Sequence, residues 1–457
     1  MIVVGVWADL QGLTAAFRGV DGIGESVSAL ATANASSGLR RPTLSVCSDR
    51  RLGSVVRIRS LLSLLFLLLM LAAFLTQMAF SLFLHFPGFL TDLGASAFDI
   101  GVLYAVAAAV AIALRPWMGR LVDQRDRRWV IIAAGLVNVS ALLAYLTIDT
   151  FGVSVFVVAI VNTSAQVLLA TAFFAFAADI VPPSRRTQGL ALFGISFMLP
   201  IGLGSILGEG ILAIADFDVI FLTAALFEIG SIAIVLTLSE PHREHDSTRR
   251  SFFAALRQED LRPLWWLTFF VALGVTTLFT FMRTFVDETG IGSVGLFFGA
   301  YAFTAVLVRV SASWLPDRVG QKRVLGPAVA AYSAAFGLLA AAGSTVDMVV
   351  AAILAGAAHG FIFPIISSLI VTRSRASERG SAIAIHIAIL DVAILAGGPT
   401  VGAMIEHAGY PTAFATVGVA VAVGTIGFFV WDDAKRNAAR GPESTAKGSP
   451  PPRRITN

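Results

Sequence analysis

Arg115-Pro-Trp-Met-Gly119-Arg-Leu-Val-Asp123-Gln-Arg-Asp126-Arg127-Arg128 is a burst of charge between two long apolar runs. The layout recurs as Arg309-Val-Ser-Ala-Ser313-Trp-Leu-Pro-Asp317-Arg-Val-Gly320-Gln-Lys322-Arg323. One step of 194 residues (309 − 115) carries Arg115 onto Arg309, Asp123 onto Asp317 and Gly101 onto Gly295. Several polar residues in register inside two hydrophobic halves indicate a duplicated membrane unit.

Composition points the same way. Hydrophobic residues make up 56% of the chain, charged residues 14%, and the mean hydropathy is +0.81, whereas a soluble domain carries about 25% charge. Lipid is the expected solvent, so the question becomes how many segments reach about 20 apolar residues, enough to cross roughly 30 Å of hydrocarbon. The single cysteine, Cys47, excludes an internal disulfide and a cysteine-based metal site. The net charge of +4 does not imply nucleic acid, because the basic residues lie between apolar runs and form no stripe interleaved with aromatics.

Residues 1–60 mix Ala, Ser, Gly and Arg without period, and the short run Ile2–Trp7 has no basic stretch before it, so this arm reads as cytoplasmic and disordered. The first half, 61–238, is expected to hold six spans: Leu61–Phe86, Ile100–Met118, Trp129–Ile148, Val153–Ala178, Gly189–Ala215 and Val219–Leu238. A charged cytoplasmic linker occupies 239–262. The second half, 263–432, holds six more: Leu264–Phe285, Val294–Leu315, Val324–Ala342, Met348–Val371, Ser381–Ile405 and Thr412–Trp431. The tail, 433–457, reads as cytoplasmic and disordered. Charge sorting tests this layout independently: with the amino terminus inside, 32 of the 33 Lys and Arg fall on the cytoplasmic side and Arg283 is the exception. The opposite loops hold Asp92, Asp149, Asp216, Asp218, Asp347 and Glu406. The expected fold class is an all-α membrane protein of twelve transmembrane helices in two pseudo-symmetric six-helix bundles.

Twelve helices as six plus six, a charged linker, and Gly119-x-x-x-Asp123 followed by Arg127 and Arg128 between the second and third spans together resemble the major facilitator superfamily. The resemblance covers roughly Leu61 to Trp431. The family's loop usually reads Gly-x-x-x-Asp-x-x-Gly-Arg-Arg; here Asp126 stands in place of the second Gly, and Asp tolerates a left-handed turn. The second copy keeps Asp317, Gly320 and Lys322 but has Ser313 and Gln321. Glu378-Arg379-Gly380 opening the eleventh span, Gly397-Gly398-Pro399-Thr-Val-Gly402 ending it, and Gly356, Gly360 and Pro364 in the tenth also fit. The general match is to small-molecule efflux permeases of the drug-proton antiporter type.

The resemblance implies roles. Arg115, Gly119, Asp123, Arg127, Arg128 and Asp317 form a conformational latch, Asp123 bracing the second helix against the start of the eleventh at Ser381 when the outside is open. The alternative is that these charges only set topology. An Asp near the middle of a span costs about 2.5–3.5 kcal/mol on insertion scales and is expected to face a partner or a wet cavity. Asp391 is such a residue, and reversible protonation of a carboxylate is what a proton-coupled carrier needs. His386, His359 and Glu209 are further candidates for proton coupling; a structural hydrogen bond is the rival reading for Asp391. Glu228, on the sixth span, is expected in a structural pair or at a polar spot on the surface. Helices 1, 4, 7 and 10 line the cavity in the family, so Gln77, Asn162, Gln166, Thr276, Thr280 and Arg283 are candidate solute contacts. Interhelical packing is the bland alternative for the neutral ones, and an i,i+4 pair with Asp287 for Arg283. Most of the many Phe residues, such as Phe80, Phe83, Phe174, Phe281 and Phe363, are lipid or core contacts, and a few floor an amphipathic pocket.

Enzyme readings fail. Gly202-Leu-Gly204-Ser-Ile-Leu-Gly208 has dinucleotide-like spacing but lies in a membrane helix with no strand before it. No Gly-x-x-x-x-Gly-Lys-Ser/Thr motif is present, which leaves an ion gradient as the energy source. The expectation is a monomeric, multi-pass carrier in the plasma or inner membrane, both termini cytoplasmic, that moves a small organic solute by alternating access with proton-coupled efflux. A solute-proton symporter and a non-transporting sensor or scaffold are the rivals. Small solute, protons and lipid are the expected partners; no cofactor, metal or nucleic acid is expected.

Overall fold

Helix starts follow the caps the sequence supplies. The computed structural model describes residues 63–182, 186–239, 256–375 and 378–440; the arm 1–60, most of the linker and residues 441–457 lie outside them. Ser63 accepts a bond from Phe66 N (3.2 Å) and opens α1 (Leu64–Asp92), which tightens at Phe83–His85. Ser96 and Asp99 form a reciprocal capping box at α2 (Ala97–Gln124), with Asp99 N donating to Ser96 Oγ (3.2 Å) and Ser96 N to Asp99 Oδ2 (3.0 Å). Then come α3 (Arg127–Ala144), α4 (Val153–Ile180), a short helix Arg186–Phe193 leading into α5 (Ile195–Leu212), and α6 (Phe217–Thr237). The second half repeats with α7 (Arg262–Thr289), α8 (Val294–Ser311), a short helix Leu315–Val319, α9 (Gln321–Ala340) and α10 (Thr345–Arg373).

The last helical run, Arg379–Arg440, breaks at Gly409 (φ 75°, ψ 169°), a backbone conformation that only glycine adopts without strain. Its apolar part, Ser381–Lys435, is 55 residues, about 80 Å as one straight helix and far more than a bilayer needs. It is therefore two spans, α11 (379–408) and α12 (410–440). The eleven apolar helices found among the described residues make twelve crossings.

Two boundaries differ from the sequence reading. The Gly119–Asp123 segment, expected in a loop, forms the last turns of α2, because polar residues keep their helix propensity where lipid ends. The tail, expected disordered from 433, continues α12 to Arg440. Ion pairs hold that extension: Asp432 bridges Arg373 (Nη1 at 2.5 Å) and Lys322, while Asp433 takes Lys322 Nζ at 2.7 Å.

Within the first half α1 packs on α5 and α6, α3 on α4 and α6, and α2 on α4; within the second, α8 and α9 pack on α10, and α7 and α9 on the final run. The halves meet along two seams, α2 with α11 and α5 with α8. The repeat explains both. Gly101 leaves no room for a Cβ against the backbone of Gly398, and its counterpart Gly295 sits against Ile206 and Glu209 of α5. Both seams are tight at the Arg-poor end of the bundle, where α2 and α8 begin; at the Arg-rich end nothing lies within 4 Å of a Cβ built on Gly119.

Candidate functional site

The α2–α11 seam carries an ion pair. Arg115, two turns from the end of α2, donates from Nε to Asp391 Oδ2 at 2.6 Å, and Nη2 reaches the same oxygen. The side chains are 17% and 13% exposed, so the pair is mostly withdrawn from solvent. Sequence reading placed these two residues in different roles. The structure joins them, and the joint spans the two halves.

The rest of the motif works inside the first half. Arg127 is buried; its Nε pairs with Asp179 Oδ2 of α4 (3.3 Å), and its Nη2 lies 3.7 Å from Asp123 Oδ1. Arg128 donates from Nη2 to the Leu236 carbonyl and covers the Trp129 ring at 5.4 Å. Asp123 is 74% exposed at the Arg-rich surface. Asp317, its counterpart, is exposed beside Trp314 and Arg318.

The histidines do not join Asp391. His359 Nδ1 bonds the Tyr301 hydroxyl, and His386 Nδ1 bonds Thr268 Oγ1 at 3.1 Å. The Phe363 ring stands between the two, 6.3 Å from His359 and 5.3 Å from His386.

A second cross-half cluster closes the Arg-poor end. His85 Nε2 is 2.9 Å from the Ser205 carbonyl and its Nδ1 is 3.1 Å from Arg283 Nη1. Because a guanidinium only donates, Nδ1 accepts and Nε2 carries the hydrogen. Arg283 also pairs with Asp287 (2.8 Å), the local partner its spacing implied. Glu209 Oε2 accepts from Gly295 N at 3.1 Å, tying α5 to α8.

Asn162, expected to meet solute, instead belongs to a buried network. It donates to Asn138 Oδ1 (2.8 Å), Asn138 donates to Glu228 Oε2 (3.2 Å), and Thr76 contacts Glu228 Oε1 (3.3 Å) and Ser231 (2.9 Å). Glu228 is 0% exposed and stitches α1, α3 and α4 to α6. Among the described residues, Gln77, Gln166, Thr276 and Thr280 make no side-chain hydrogen bond, and Thr276 and Thr280 are buried.

A twelve-span bundle of two matched halves, with a charged joint between them and polar groups along the inner helices, is the architecture of a multi-pass transporter of small molecules and not of an enzyme. The Major Facilitator Superfamily model matches residues 65–293 and again 264–455. The chain belongs to that superfamily. It is 21% identical over 375 residues to the staphylopine export protein of Staphylococcus aureus, covering 76% of this chain and 91% of the relative. Among solved structures, a point mutant of the nucleoside transporter NupG superposes with TM-score 0.69 at 15% identity, over 80% of this chain and 99% of that one. The human organic anion transporter MFSD10 (TETRAN) gives 0.61 at 17% identity, over 80% and 98%. At these identities the structural matches show the fold.

Proposed function

We propose that the protein exports a small organic solute across the plasma or inner membrane in exchange for protons, as a monomer, with its Arg-rich end and both termini in the cytoplasm. The observation that carries this reading is the Arg115–Asp391 pair on the α2–α11 seam. Protonating Asp391 cancels the charge that holds Arg115, so proton uptake and departure from the state closed at the Arg-poor end become one event. The likeness to an export protein favours efflux.

In this state the Arg-poor end is sealed by His85–Arg283 and Glu209–Gly295. With that end facing outward, the solute site opens to the cytoplasm, awaiting a molecule to expel. Gln77, Gln166, Thr276 and Thr280 are the polar contacts offered to it, and Asp123 is the residue that closes the cytoplasmic end in the opposite state.

The test is proteoliposomes with a pH-sensitive dye inside, screened against a metabolite and drug panel. Solute addition should dissipate an imposed pH gradient with the sign of exchange. Dissipation of the opposite sign establishes symport, and none across the panel leaves a scaffold.

A further inference from the structure

Arg309 holds the place in α8 that Arg115 holds in α2, yet the two differ in company. Arg115 meets Asp391; Arg309 has no acidic partner among the described residues, and its Nε is buried without a hydrogen bond. The helices it faces supply no counter-charge. On the α5 side there is no Asp or Glu between Thr187 and Leu207, and in α10 there is none between Met348 and Thr372. The 194-residue step takes Asp391 to Phe197, whose ring stacks on Phe174 at 4.7 Å.

A guanidinium kept only to mark the cytoplasmic side would sit on the outer face of α8. Leu296, Phe303, Leu307 and Val310 define that face by their exposure. At about 100° per residue, Arg309 projects away from it. It lies between Tyr301 and Val308, which pack against Gly356 and Gly360 of α10, and Gly295, Gly299 and Ala302, which pack against α5.

Arginine keeps its charge in proteins. With Arg115 answered by Asp391 and Arg283 by Asp287, Arg309 is an unanswered positive charge between the sides of α8 that face α5 and α10. Tyr301, two turns before Arg309 in α8, and His359, next to Gly360 in α10, are bonded to each other, and Phe363 beside His359 adds aromatic surface. The unused Nε with a neighbouring Nη forms the edge that a carboxylate or phosphate takes with two parallel bonds.

We propose that Arg309 anchors the oxyanion of a small aromatic organic anion, so that the transported solute carries a carboxylate or phosphate group. This rests on the reading of the chain as a solute carrier and names the solute's class. The test is thermal unfolding of the full chain in lipid nanodiscs with benzoate, phenyl phosphate and, as the neutral control, benzamide. At least one anion should raise the unfolding temperature in a saturable way and benzamide should not. Arg309→Gln should weaken the apparent affinity at least tenfold while unfolding normally without anion, and Arg309→Lys should retain part of it. An equal shift from benzamide, an unchanged response in Arg309→Gln, or no shift from either anion overturns the proposal. Binding is measured without a gradient, so failure of proton coupling would leave this result standing.

Discussion

Replacing Asp391 with Asn removes the carboxylate's charge and keeps its shape. An exposed ion pair is worth about 0–1 kcal/mol and breaking a fully buried one costs about 3–5. With side chains 17% and 13% exposed and a 2.6 Å bond, Arg115–Asp391 falls between, at about 2–4 kcal/mol. If the pair exists only in the state closed at the Arg-poor end, its loss shifts the conformational equilibrium by roughly 30- to 700-fold at 1.4 kcal/mol per decade. Spin labels at Trp117→Cys and Val319→Cys, both exposed at the Arg-rich ends of opposite halves, report that shift once Cys47 is changed to Ser. Asp391→Asn should populate shorter distances, abolish solute movement driven by a pH gradient, and spare gradient-free exchange. Adding Arg115→Gln should recover stability lost in the single variant, because it removes the stranded cation. Wild-type uphill transport together with an unchanged distance distribution would falsify the coupling role.

Glu228→Ala should lower stability by about 1–3 kcal/mol, since it strands the Asn138 amide in the core, while Glu228→Gln should cost less than about 1; thermal unfolding in detergent compares them. Gly398→Val should insert normally yet lose transport, because its side chain meets the Gly101 backbone; surface expression beside solute efflux checks this. Reporter fusions in the linker near Arg249 and after Arg440 should both read cytoplasmic.

The fold was legible because lipid imposes a simple rule: runs of about 20 apolar residues with basic loops on one side. Gly101 and Gly295, paired by a numerical step, turned out to do the same job on the two seams. The site was less legible. Nothing in the sequence states that Arg115 and Asp391, 276 positions apart, touch, although each is a charge that must find a partner inside a membrane. Asn162 and Gln166 share a helix face by spacing, but spacing does not say which neighbour that face meets. Asn138 supplied the answer from α3, and it drew Asn162 into the first half's own core.

The duplicated halves explain why one seam can act as a switch and the other need not. Each seam is built on the same glycine contact near the Arg-poor end, so each can close equally well there. Deeper, they diverge: α2–α11 carries a carboxylate that a proton can neutralise, whereas the matching stretch of α5 offers Phe197 and its uncharged neighbours to Arg309. A protein with both seams charged would need two protons to part its halves. With one, on the proposed coupling, a single proton would release α2 from α11, and the charge left over on α8 would be free to be answered by the solute. Opening the seam and filling the site would then depend on different ions, which is the separation an exchanger needs between what drives it and what it carries.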